Sequence, residues 1–138
     1  MRIFVSLMIV LMAVWTLFVG ISAAQEGSLE RQKAKIVSRV YQLTYGAEEM
    51  CKRYSPQESN QVSEAVAKFK NTYPELMKLV EESPYLDKAK KRMSILIDRM
   101  EKNPEYTECL AAYNMLQQCT DTESGKQDIL KTIAELKK

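Results

Sequence analysis

The chain has 138 residues with 20 Lys and Arg against 18 Asp and Glu, a formal net charge of +2, and no His. Near-neutral balance argues against a nucleic-acid binder, which carries a clear basic excess. The absence of His removes the usual partner that turns Ser or Cys into a nucleophile, and every zinc site that uses imidazole.

The first residues read Met1-Arg2, then an apolar stretch from Ile3 to Val19 in which only Ser6 and Thr16 are polar, then Gly20-Ile21-Ser22-Ala23-Ala24 before the polar Gln25-Glu26-Gly27. A charged start, an apolar middle and a small-residue end make a secretory signal peptide, with Ser22 and Ala24 at the −3 and −1 positions of a cut before Gln25. The competing reading is a retained anchor, because Ile3 to Ala24 approaches the roughly 20 residues that span a bilayer. No Cys lies at the cut, which excludes a lipoprotein anchor. Removing residues 1–24 from the 138 leaves 114, expected to form one domain, 25–138, and takes away Arg2, so the body carries a net +1.

Within the body, apolar residues recur at alternating spacings of three and four, the period of a helix face. The expected helices are 28–54, 56–82, 84–102, 104–119 and 123–137. The first carries Ile36, Val40, Leu43, Ala47, Met50 and Tyr54 in that rhythm. The second carries Val62, Val66, Phe69, Tyr73, Leu76 and Val80, and its stripe crosses Pro74 in phase, which reads as a kinked helix. Leu86, Ala89, Met93, Leu96 and Met100 mark the third, Tyr106, Cys109, Tyr113 and Leu116 the fourth, and Ile129, Ile133 and Leu136 the last.

Start signals support these bounds. Ser55-Pro56-Gln57-Glu58 reads as a complete capping box with Pro at the first helical position. Ser83-Pro84 and Asn103-Pro104-Glu105 repeat the cap and the proline, and Thr120-Asp121-Thr122-Glu123 offers a further box. Short connections force neighbouring helices to run antiparallel. The fold class expected is all-α, an up-down bundle of four to five antiparallel helices with one disulfide.

Three Cys in an exported chain imply one bridge and one leftover thiol. Cys109 and Cys119 sit ten residues apart on one expected helix, about 15 Å of rise, beyond the ~7 Å reach of a disulfide. An antiparallel register sets Cys51, near the end of the first helix, level with Cys109, near the start of the fourth. The expected bridge is therefore Cys51–Cys109, with Cys119 free and a homodimer open to it. Cys109-x9-Cys119 resembles half of the twin Cys-x9-Cys pattern of helical-hairpin proteins, whose second pair is missing here. The stretch from Cys119 through the Lys-rich last helix resembles the tail of periplasmic acid-stress chaperones, over too little of the chain to define a family.

No residue is expected to be catalytic, and no cofactor or metal is expected. Glu48-Glu49 and Glu81-Glu82 point about 100° apart on a helix and do not converge on one atom. Lys88, Lys90, Lys91 and Arg92, with Arg99 and Lys102 further along, form a basic face open to an acidic partner or anionic polymer. Val37, Tyr41 and Tyr45 make a ridge beside the first stripe, either a seat for the fifth helix or an exposed anchor for a partner. Met77, Met93, Met100 and Met115 read as core, with an adaptable apolar groove as the alternative. The expected function is a secreted or periplasmic non-catalytic interaction protein (adaptor, immunity or chaperone-like). It would bind another protein through Tyr41, Tyr45, Lys90 and Lys91, with no nucleic-acid partner and no membrane contact beyond an uncleaved signal. The alternative is a carrier of a small apolar ligand or lipid held between helices.

Overall fold

The computed structural model describes residues 27–101 and 109–138, and among them there is no strand. The expected signal segment, Lys102, Asn103-Pro104-Glu105 and Tyr106 lie outside the described residues. The chain clusters into two units, Met1–Gln32 and Lys33–Lys138. Of the first only 27–32 is described, as helix; the contacts below all belong to the second.

The first helix, α1 (27–41), passes through a π turn, Gln42–Gly46, into α2, Ala47–Tyr54. A π turn disturbs the regular ladder of carbonyls, and the fully buried Thr44 answers it by donating its hydroxyl to the Val40 carbonyl at 2.8 Å. The helix faces the core with Val37, Thr44 and Cys51, each fully buried and seven residues apart. That axis is rotated from the expected stripe, of which Ile36 and Leu43 are only half-buried.

Beyond Ser55 runs α3, Pro56–Thr72, then α4, Pro74–Glu81. These are two helices, which corrects the single kinked helix expected over 56–82. Proline disfavours helical backbone in the residue before it, and Tyr73 accordingly adopts φ −124° and ψ 59°. The stripe still crosses the break in phase, with Val62, Val66, Phe69, Tyr73, Leu76 and Val80 all buried. The Ser55 capping box is also corrected. Its side chain makes no cap bond, and the Glu58 N–H is taken by the Ser55 carbonyl at 3.0 Å.

Next comes α5, Leu86–Glu101. It starts two residues later than expected because the Tyr85 N–H donates to Ser83 Oγ at 3.2 Å, which holds Pro84 and Tyr85 in a turn. On α5 the buried residue near this level is Ile97, while the expected Leu96 is exposed. Helix α6, Cys109–Asp121, runs two residues past its expected end, and α7, Glu123–Lys137, has the bounds the sequence led us to expect. Thr122, extended at φ −104° and ψ 146°, is the N-cap of α7 and accepts from the Gly125 N–H. Thr120 plays no capping part, being buried inside α6 and bonded back to the Leu116 carbonyl.

Helix α3 packs on α2 and α6, and α7 packs on α6 and α4. Phe69, Leu76, Leu116, Val62, Val66 and Val80 are fully buried at these contacts. Burying side chains of this kind stabilises a fold by roughly 1.5–3 kcal/mol each. The Cys51–Cys109 disulfide joins α2 to the first residue of α6 across a Cα separation of 5.7 Å. Polar links finish the edges: Lys68 on α3 pairs with Asp121 at the end of α6 at 2.6 Å, and Lys137 pairs with Glu75. No helix among the described residues is long and apolar enough to cross a membrane.

Candidate ligand cavity and surface sites

The α1 stripe borders a cavity of about 460 Å³ that α3, α5, α6 and α7 also line. Its inner wall is Val40, Ala47, Met50, Phe69, Met93 and Ile129, all buried. Its outer wall is Ile36 and Leu43 on the α1 side and Ala111, Ala112 and Met115 on α6. Met115 is 55% exposed and stands at the mouth. The remaining wall residues among those described are polar: Arg39, Gln42 and Thr132, of which Arg39 alone is charged.

Local structure explains why the space exists. Gln42 and Leu43 begin the π turn, and a wider turn rotates the residues before it relative to those after it. Small residues at Ala111 and Ala112 leave the α6 wall low. Gly46 lets α5 approach: a Cβ there would stand 2.5 Å from Met93 Sδ, so the thioether takes that room and forms one wall of the cavity.

No protein-family model, curated protein or solved structure matches this chain. The site therefore has to be read from its own chemistry.

The tyrosine ridge sits on another face. Tyr41 and Tyr45 are half-buried, with ring centroids 5.4 Å apart. Tyr45 is held by the second helical stretch: its hydroxyl donates to Glu81 Oε1 at 2.7 Å and Lys70 Nζ stands 3.8 Å from its ring centroid. The hydrogen bond to Glu81, with burial and the nearby carboxylates adding to it, pushes the Tyr45 pKa up to about 12. Burial raises that of Tyr41. Because the folded pKa of Tyr45 lies above its ordinary value of 10.0, the stability it contributes is complete below pH 10 and is lost as pH rises through about 12. Tyr45→Phe should cost about 0.5–1.5 kcal/mol, the net worth of one hydrogen bond, and should abolish the latest phenolate step in an NMR titration.

Lys90 and Lys91 are exposed on α5, as are Lys88, Arg92 and Arg99. Cys119 is free and half-buried. Burial, helped by the Asp128 charge, raises its thiol pKa, which keeps it protonated and weakly nucleophilic. Tyr73 donates its hydroxyl to the Cys119 carbonyl, tying the end of α3 to α6. The four candidate partner residues thus divide between two surfaces, and none of them lines the cavity. Of the four Met singled out in the sequence, Met77 and Met100 are core, while Met93 and Met115 line the cavity.

Sequence reasoning missed the cavity as a place. The available signal was the width of the first stripe, which at Ile36, Val37, Val40, Leu43, Thr44 and Ala47 exceeds what one neighbouring helix covers. No residue pattern announced the π turn.

Proposed function

We propose that the protein is an exported, non-catalytic binding protein whose role is to hold a small apolar ligand between its helices. One observation carries the reading: an apolar cavity of about 460 Å³ opening to solvent beside Met115. Ligand sites commonly measure 300–1,000 Å³ and combine apolar walls with a few polar groups. Arg2, the apolar run to Val19 and the Ser22-to-Ala24 end support export with a mature chain of Gln25–Lys138. A disulfide suits an oxidising compartment, the periplasm or the extracellular space. In this reading the mature chain is one up-down bundle whose antiparallel register brings Cys51 to Cys109.

Two measurements test it. Intact mass of exported material should begin at Gln25, and recovery with Met1 intact in a membrane pellet would replace export with anchoring. Native mass spectrometry of the mature protein should show a fixed added mass that solvent extraction removes. Ala111→Trp, at an exposed position on the cavity wall, should abolish that mass while lowering the melting temperature by no more than a few degrees. A wild-type protein that carries nothing and takes up no apolar probe would refute the carrier.

A second reading, binding of a protein partner, is favoured by Lys90 and Lys91, which are exposed and form no ion pair among the described residues, with Tyr41 and Tyr45 as a separate candidate anchor. Partner capture through the lysines should fall as salt shortens the Debye length from about 10 Å at 0.1 M. Capture indifferent to salt and to Lys90→Glu would remove that surface.

A further inference from the structure

Resting on the carrier reading, we infer that the cavity selects a single-chain amphiphile with an anionic head, of the medium-chain fatty-acid class, with Arg39 as the residue that reads the charge. Three features of the wall converge on this ligand. The first is charge: among the described residues Arg39 is the only charged one on the wall, and the positions three and four residues either side of it on the helix are Lys35, Ile36, Gln42 and Leu43. No carboxylate on its own helix therefore neutralises the guanidinium, because only i±3 and i±4 neighbours meet along a helix. The acidic residues of α7 are Glu123, Asp128 and Glu135, none of them on the wall; Asp128 lies 3.9 Å from Lys131 and Glu135 pairs with Lys138.

The second is donor geometry. Gln42 lies three residues beyond Arg39 on the same wall, so a guanidinium fork and an amide NH2 stand together at one rim. Thr132, the third polar wall residue, has its hydroxyl proton committed to the Asp128 carbonyl at 2.8 Å. The polar rim thus offers donors chiefly from one place, the pattern that a carboxylate satisfies and an ammonium does not. The third is size. At about 30 Å³ for each water-sized group, 460 Å³ holds about 15 such groups, the scale of a ten- to fourteen-atom chain and too small for a two-chain lipid. Such a tail would lie among Val40, Met50, Phe69, Met93 and Ile129, while Met93 and Met115 supply unbranched, adaptable walls.

Isothermal calorimetry on the mature disulfide-bonded protein separates the possibilities, using dodecanoate, dodecanol and dodecyltrimethylammonium below their micellar concentrations. Dodecanoate should bind at least tenfold more tightly than dodecanol, and the cation should bind most weakly. Arg39→Gln should bring dodecanoate down to the affinity of dodecanol and leave dodecanol unchanged, whereas Arg39→Lys should keep part of the preference. Arg39 is exposed, so these variants should fold as the wild type does, and unchanged melting curves would verify it. Equal binding of dodecanoate and dodecanol, both lost in Ala111→Trp, would overturn the anionic head while leaving the carrier intact. A dodecanoate preference that survives Arg39→Gln would overturn the role of Arg39. No binding of any probe would overturn this inference and the carrier reading together.

Discussion

Replacing Cys51 with Ser should destabilise the mature protein by about 2–5 kcal/mol, the range for removing a native bridge from a small domain. The bridge closes a loop with a sequence separation of 58, which in the chain-entropy model stabilises the fold by roughly 4 kcal/mol. Both sulfurs are in the core, with Cys51 and Cys109 fully buried. A Ser there adds an unpaired hydroxyl to apolar surroundings. For a domain of this size each kcal/mol moves the melting temperature by about 4 °C, so a fall of about 8–20 °C is expected. Thermal melts with and without reductant check the cause. The wild type should lose most of that margin on reduction, and the Cys51→Ser variant should be indifferent to reductant. Cys119→Ser, at the free thiol, should melt close to the wild type in both conditions. If reductant leaves the wild-type melt unmoved, the bridge is not what holds α2 against α6.

Gly125→Ala should be nearly as damaging, and its sign runs against helix propensity. In an exposed helix interior the change from Gly to Ala stabilises by about 1 kcal/mol. Here the added Cβ would stand 2.1 Å from the Gln118 carbonyl oxygen, 2.7 Å from its carbon and 2.8 Å from Cys119 Cα. Those atoms are backbone, so no side-chain rotation relieves the contact, and α6 and α7 must separate. Separation also loosens the cap in which the Gly125 N–H meets Thr122 Oγ1 at 3.0 Å. We expect a loss of at least ~3 kcal/mol, the upper end of the cost of overpacking. The exposed neighbour Ser124 supplies the control: Ser124→Ala should be neutral or slightly stabilising. A Gly125→Ala variant that melts at or above the wild type would show that the close crossing of α6 and α7 does not exist in solution.

Much of the fold was legible because helices announce themselves locally. A three- and four-residue apolar rhythm over Val62 to Val80 needs no tertiary information to be read as a helical face, and every residue of that stripe is buried. Elimination made Cys51 one half of the bridge, since one helix holds Cys109 and Cys119 too far apart to join; choosing Cys109 as the other half needed an antiparallel register as well. Capping was less legible, because several side chains could serve each N-terminus. Ser55 was outcompeted by its own backbone carbonyl, and Thr122 displaced Thr120 because Thr120 is bonded back into α6. Leu96 and Ile97 fit the stripe of α5 almost equally, and small rotations of a helix decide which of two adjacent apolar residues is buried.

The sequence by itself determined the helical class, the last helix within its bounds, the absence of imidazole chemistry and Cys51 as one partner of the bridge, all consequences of composition, period and covalent reach. Only the tertiary structure decided where Pro74 ends one helix and begins another, that the backbone of α6 and α7 meets at Gly125, and that a π turn at Gln42–Gly46 leaves Arg39 at the rim of an apolar cavity. A cavity is what remains after side chains from several helices have packed. Its walls at Val40, Phe69, Met93, Met115 and Ile129 come from segments far apart in the chain, and no local pattern encodes the space between them.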